Sequence, residues 1–244
     1  MDRDAFCNRR MLLSVGLAVI LLGHTYLRNP DIAGIDVLYI ISLPMATAMF
    51  GAYACVFPAL PYATRFVEEY NSSFSRFILI RSSRIRYAVC KSVSIAFSGG
   101  LMMAEAFTII FGIAVLIGKP STGYDPSVPY GGTIWYVLIP VWGGKCVLLL
   151  KILLAFIFGM VWSSVCLLLS VFFLNRYVAF IGTFILYQFL WQFLSSSKWN
   201  PVYLLRADIQ GYSAVWEPFA IQLLIFLTLL LCNTLVIVRR LRDV

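Results

Sequence analysis

Charge is what this chain has least of. Lysine, arginine, aspartate and glutamate make up 12% of its 244 residues, about half of what a soluble domain carries. There is a single histidine, His24, and the six cysteines form no CxxC pair and no Cys/His cluster with metal-ligand spacing. Metal-centred and histidine-dependent chemistry is therefore not expected. No GxxxxGK[ST] phosphate loop occurs anywhere, so the chain cannot hold ATP in that way by itself. No repeat relates its two halves, which argues against a carrier built by duplication of spans. The paired acids Glu68 and Glu69 invite comparison with a class of intramembrane protease in which an arginine follows four residues after the second glutamate. Here that position is Ser73, and the histidines such enzymes need are missing.

What fills the space left by charge is hydrocarbon. The chain is 61% hydrophobic with a mean hydropathy of +0.88. A helix needs roughly 20 apolar residues to cross a bilayer, and six runs of about that length are bounded by charge, proline or polar clusters: 11–27, 37–63, 92–117, 146–173, 177–194 and 219–238. The expected fold is an all-α polytopic membrane protein, with residues 1–244 forming a single transmembrane domain of six helices. The first run follows Arg9 and Arg10 like a signal peptide, but His24 to Arg28 offers no small-x-small cleavage site, so it reads as a retained span.

Positively charged loops stay in the cytoplasm. With both termini inside, thirteen basic residues fall on the inner side (Arg3, Arg9, Arg10, Arg65, Arg76, Arg81, Arg84, Arg86, Lys91, Arg176, Arg239, Arg240 and Arg242) and six on the outer (Arg28, Lys119, Lys145, Lys151, Lys198 and Arg206). The net charge of +8 then reads as a topology signal and an attraction to anionic lipid rather than as a nucleic-acid footprint. In this arrangement Cys55, Cys166 and Cys232 lie within spans, Cys7 and Cys90 face the cytoplasm, and only Cys146 lies near the outer surface, so no disulfide is motivated.

Two outer segments depart from plain hairpins. Between spans three and four, Gly131-Gly132 and Gly143-Gly144 bracket TIWYVLIPVW, too short to cross and rich in the aromatics that favour the interface, so it lies flat or dips in. Between spans five and six, Asn200-Pro201 suits a helix start and Gly211 a stop, predicting short re-entrant or interfacial outer helices; ordinary surface loops are the alternative. On the inner side, Leu174-Asn175-Arg176 makes a tight turn between spans four and five. That leaves one large cytoplasmic loop, 63–91. In it Phe66, Tyr70, Phe74, Phe77 and Ile78 recur at helical spacing, and Glu68 and Glu69 precede Arg76, Arg81, Arg84 and Arg86 in the order that suits a helix dipole. Asn71, Ser72 and Ser73, and again Ser82 and Ser83, are capping residues that divide the stretch. An amphipathic stretch of this kind either docks a partner or lies on anionic lipid. Within the spans, Glu105 is the deeply placed acid, about 14 residues and hence roughly 21 Å along the helix from Lys91.

This organisation resembles the permease subunits of ABC transporters of the type-2 exporter class. The resemblance rests on the in-facing amino-terminal segment, the six spans, the basic loop between the second and third, and the broken outer segment before the sixth. Most specifically, Glu68-Glu69, the turn from Asn71 to Ile80, Arg81-Ser82-Ser83-Arg84, Tyr87 and Lys91 are similar to the family's acid, short coupling helix, serine-arginine turn, and tyrosine and lysine at the base of the third span. Asn200-Pro201 is similar to the start of its outer re-entrant helices. The chain departs from the family in lacking a proline in the turn at Arg81 to Arg84 and in a long segment from Lys119 to Lys145.

The resemblance implies a permease without an ATPase site of its own, paired with a second permease copy and with separate cassette ATPase subunits that carry ATP and Mg. It implies the plasma membrane of a bacterium and outward transport of a peptide, drug-like or lipid substrate. It places Glu68, Glu69, Ser73, Phe74, Arg76, Phe77, Ile78, Arg81 and Arg84 at the ATPase-coupling surface, with Phe74, Phe77 and Ile78 as the buried anchor. The pathway would run between two permeases along the second and fifth spans, where Met45, Met49, Phe50, Phe184, Tyr187, Gln188 and Trp191, with Glu105, are lining residues by position. Competing readings are a non-transporting scaffold or immunity or regulatory protein, and an ion-coupled carrier.

Overall fold

The computed structural model describes residues 9–28, 37, 45, 48–72, 83–118, 134–207 and 212–242. Among these the chain is helical and contains no strand. In order, the elements are α1 (Arg9–Arg28), α2 (Ala48–Tyr53), a 3₁₀ turn (Phe57–Ala59), α3 (Arg65–Asn71), α4 (Arg84–Ile117), α5 (Ile134–Trp142), α6 (Gly144–Phe173), α7 (Arg176–Phe193), α8 (Pro201–Arg206) and α9 (Glu217–Arg240). Three of them, α4, α6 and α9, are long and apolar enough to cross a membrane.

The centre of the molecule is the α4–α6 pair, and its closeness is set by glycine. Gly99 and Gly100 face Gly159 across the contact. A Cβ on Gly159 would strike the Gly99 carbonyl and the Gly100 Cα, and one on Gly99 would come within 2.5 Å of the Ser163 Cβ and 2.8 Å of the Pro58 oxygen. Without a hydrophobic drive between helices in lipid, such small-residue contacts are what let backbones approach and gain dispersion energy.

α6 is the most enclosed of the three apolar helices and α9 the least. On α9, Gln222, Phe226, Asn233 and Ile237 are buried, while Leu223, Leu224, Leu227, Leu231 and Leu235 are exposed. That is the pattern of a helix bathed in lipid, with its polar groups turned to protein. Asn233 Nδ2 donates to the Ser164 carbonyl of α6 at 3.0 Å, and Gln222 Nε2 donates to the Leu204 carbonyl of α8 at 2.8 Å. Inside hydrocarbon such amides have no water to turn to, so they locate the helix on its neighbours.

The stretch 37–63, expected as one span, is not a continuous helix over its described second half. α2 ends at Tyr53, the 3₁₀ turn carries Pro58, and turns continue past Pro61 to α3. Proline supplies no N–H and clashes with the preceding turn, so two of them three residues apart end the helix rather than bend it. Side chains of α1 and α7 donate to backbone carbonyls along this stretch. Tyr187 hydroxyl donates to the Gly51 oxygen at 2.6 Å, Gln188 Nε2 to the Ala52 oxygen at 2.9 Å, and Ser14 Oγ to the Phe57 oxygen at 2.7 Å.

The tight turn between α6 and α7 is present as expected. Leu174 adopts a left-handed conformation (φ 49°) that ends α6, and Asn175 Oδ1 accepts from the Tyr177 and Val178 amides to start α7. At the opposite end of the bundle, α5 is a short helix, and Trp135 Nε1 donates to the Arg206 carbonyl at the end of α8. Asn200 is fully buried there. Its Oδ1 caps α8 through the Val202 amide, and its Nδ2 donates to the Trp191 and Leu194 carbonyls at the end of α7. α8 stops at Arg206, with Ala207 in the left-handed region; Gly211, the expected stop, lies outside the described residues.

Candidate functional site at the basic end of the bundle

The turns before α3 and the ends of α3, α4, α6, α7 and α9 meet in a second, smaller core built on Tyr62, Phe66, Tyr87, Ile95, Leu167, Val171, Ala179 and Ile237. Phe66 is fully enclosed in it, which seats the seven-residue α3 against the membrane-length helices. A helix so short has no stability of its own. Its position is fixed by what its two acids reach.

Glu69 is the buried one. Its Oε1 accepts from Lys91 Nζ of α4 at 2.6 Å and its Oε2 from the Tyr87 hydroxyl at 2.8 Å. Lys91 in turn donates to the Tyr62 hydroxyl at 3.2 Å, and Arg65 Nε stands 3.6 Å from the same carboxylate oxygen. Lys91 and Glu69 are both nearly inaccessible to solvent, so neither charge has water as an alternative partner. Two opposite charges 2.6 Å apart, each held by a tyrosine hydroxyl, form a desolvated joint that is rigid because any relative movement of α3 and α4 would expose an unpaired ion.

Glu68 faces outward and makes the complementary link. Its Oε1 accepts from Arg10 of α1 at 2.9 Å and its Oε2 from Arg65 at 3.4 Å. Arg240, at the end of α9, lies over the Tyr70 ring at 5.9 Å. Neighbouring acids thus divide their work, one tying α3 to α4 and the other to α1.

The residues expected at the coupling surface are distributed as follows. Glu68 and Glu69 lie on α3 and bond as above. Arg84 is exposed in the first turn of α4, behind Ser83, whose Oγ accepts from the Arg86 amide at 3.4 Å and caps the helix. Ser73, Phe74, Arg76, Phe77, Ile78 and Arg81 lie outside the described residues. Tyr87 and Lys91, quoted for the family pattern, stand within hydrogen-bond distance of Glu69 although 18 and 22 residues away. Sequence reasoning missed Tyr62 and Arg10 as members of this site. Tyr62 carried a faint signal, since Tyr62, Phe66 and Glu69 share a helical spacing; Arg10, 58 residues from Glu68, carried none.

Of the residues expected along a pathway, Met45, Phe50 and Tyr187 are buried inside the single chain. Phe50 stacks on Phe57 at 5.8 Å and meets Phe107 edge-on; Tyr187 packs against Trp162 at 4.9 Å. Gln188, Trp191 and Glu105 are half-buried, on the flanks of α7 and α4, and the Met49 side chain lies outside the described residues. Tyr53 and Phe184 stack at 5.6 Å, closing α2 onto α7. Lys151 is buried with its Nζ over the Trp135 ring at 5.3 Å. Among the described residues no group of three His, Cys, Asp or Glu side chains is placed to hold a metal ion. None of the protein families, curated proteins or solved structures compared with this chain matches it.

Proposed function

We propose that this chain is the membrane-spanning permease subunit of an ATP-driven exporter of the ABC type-2 class, moving a peptide, drug-like or lipid substrate outward with energy from a separate ATPase. The observation that carries the reading is the Glu69–Tyr87–Lys91 joint. It fixes the two ends of the basic segment 73–82, one on α3 and the other on α4, so that a force applied to that segment reaches the 34-residue helix α4 without being absorbed by a loose hinge.

In this reading α1, the broken stretch before α3, α4, α6, α7 and α9 are the six spans, with both termini in the cytoplasm of a bacterium and a second permease copy alongside. Segment 73–82 is the coupling element, docked on a cassette ATPase through Phe74, Phe77 and Ile78, with Arg76, Arg81 and Arg84 giving charge complementarity. Nucleotide binding on the ATPase then biases a two-state membrane assembly through α3 and α4, the broken second stretch moving with them. The half-buried Glu105, Gln188 and Trp191 lie on flanks of α4 and α7, where a second copy would complete a pathway.

The test is co-purification from detergent-solubilised native membranes, with mass spectrometry of what accompanies the chain in near-equal amount. A cassette ATPase is expected, and Phe77→Asp should release it and uncouple ATP hydrolysis from transport while the spans stay inserted. A chain that purifies alone, in membranes without associated ATPase activity, would point instead to a scaffold or regulatory protein.

A further inference from the structure

A groove of about 390 Å³ opens on the outside of the bundle at its basic end, between α1, the turns before α3, α3 itself and α7. Its lining changes character along its length. Arg10, Glu68 and Arg176 stand at one end, and beyond them the walls are Leu13, Leu17, Leu60 and Phe180. Ser14, which also lines it, directs its hydroxyl to the Phe57 carbonyl, so that group is already satisfied. Leu13 and Leu17 remain more than half exposed, leaving the apolar part open sideways to whatever surrounds the helices.

Among the described residues the charged end is net positive. Glu68 is shared by Arg10 and Arg65 at 2.9 and 3.4 Å, so its charge is offset twice. Arg176 lies over the Tyr177 ring at 4.8 Å and donates to the Tyr177 hydroxyl at 2.9 Å, but forms no ion pair among the described residues. On its other side is a second cavity, of about 580 Å³, whose lining includes Asn71, Ser72 and Asn175. An arginine with unspent donors thus stands between an open cavity and a hydrocarbon-lined groove that runs toward the apolar part of the bundle. A phosphodiester bearing an acyl chain has that same order of chemistry, and a guanidinium fork matches its phosphate oxygens.

We propose that this groove binds one phospholipid with an anionic headgroup, its phosphate between Arg10 and Arg176 and an acyl chain along Leu13, Leu17 and Phe180. The lipid bridges α1 and α7, and Arg10, one of its phosphate partners, also holds Glu68 of α3, so its occupancy bears on the α3 joint from outside. A soluble phosphate would use the arginines and leave the apolar walls bare, which is why the ligand is a lipid. The inference needs only a membrane-embedded bundle and stands apart from the permease reading.

Native mass spectrometry of the full-length chain in detergent, titrated with dioleoylphosphatidylglycerol, dioleoylphosphatidylcholine or inorganic phosphate, tests it. One phosphatidylglycerol should be retained at least about tenfold more tightly than phosphatidylcholine and should not be displaced by millimolar phosphate. Arg176→Gln should weaken it about fivefold, the contribution of one basic residue at an anionic lipid surface. Leu17→Trp, which fills the groove without altering charge, should abolish it, and Arg84→Gln, at the same end but outside the groove, should leave it unchanged. Because Arg10 also holds Glu68, the decisive variants are those at Arg176 and Leu17, each checked for unaltered thermal unfolding. Equal retention of the two lipids, displacement by phosphate, or an Arg84→Gln effect equal to that of Arg176→Gln would overturn the proposal in favour of annular lipid, a soluble anion or diffuse surface attraction.

Discussion

At the scale of single residues, the most consequential pair is Lys91 and Glu69. Each is buried, and each has the other at 2.6 Å. Removing one partner strands the other's charge, whereas removing both leaves an apolar contact, so the costs are strongly non-additive. Lys91→Met alone is expected to lower unfolding stability by about 3–5 kcal/mol, the usual penalty for an uncompensated buried charge. The double variant Lys91→Met with Glu69→Leu should recover a large part of that loss. Unfolding of the four variants in mixed micelles measures the coupling, and additive losses would show that the two side chains do not share one joint. The sequence marked Glu69, Tyr87 and Lys91 as related by pattern, but their contact spans a turn that no local propensity describes, and Tyr62 entered only because the broken stretch folds back over α4.

At the scale of elements, the α4–α6 contact is set by three glycines, and what a methyl group would meet there is unambiguous. Gly159→Leu is expected to separate the helices and cost folded protein, read as loss of a monodisperse peak in detergent and of thermal stability. Gly112→Ala, on the same α4 but with nothing within 4 Å of its Cβ, should be neutral or slightly stabilising because alanine favours helix. Equal effects at the two sites would show that helix propensity, and not close approach, governs the contact. The broken stretch before α3 shows the opposite device. Pro58 and Pro61 end the helix, and Tyr187, Gln188 and Ser14 take up the backbone carbonyls around the break. Irregular backbone at membrane depth persists only where protein satisfies it. Side chains placed on a pathway by position thus have structural partners within one chain. Apolar periodicity alone could not separate a bent helix from an interrupted one, since the difference rests on hydrogen-bond donors supplied by α1 and α7.

At the scale of the whole molecule, the two ends differ. One carries Arg9, Arg10, Arg65, Arg84, Arg86, Arg176, Arg239 and Arg240 around the α3 joint; the other carries the short helices α5 and α8, Trp135 and the Lys198–Glu217 ion pair at 2.8 Å. The flanks between them are leucine, isoleucine and phenylalanine, with Leu116, Leu12 and Phe193 about three-quarters exposed or more, a surface that only hydrocarbon tolerates. If the basic end is cytoplasmic, two cysteines report it. Cys90 is exposed in the second turn of α4, near the basic end, and Cys146 is half-exposed at the start of α6, near the other. In single-cysteine versions, a membrane-impermeant maleimide applied to intact cells should label Cys146 and spare Cys90, and inside-out vesicles should reverse the order. Labelling of Cys90 from outside would invert the topology and with it the side on which a coupling segment sits.

The sequence by itself determined the solvent and the class of architecture. Scarce charge and long apolar runs admit only helices that satisfy their own backbone, and the helix start at Asn200 and the tight turn from Leu174 to Arg176 were legible because they are local chemistry. Tertiary structure decided where the second stretch breaks, which of two adjacent glutamates is buried, and that Arg10 and Arg176 flank one groove. Those outcomes depend on partners tens of residues away, meeting in three dimensions where hydrocarbon provides no water to satisfy a charge or a carbonyl left alone.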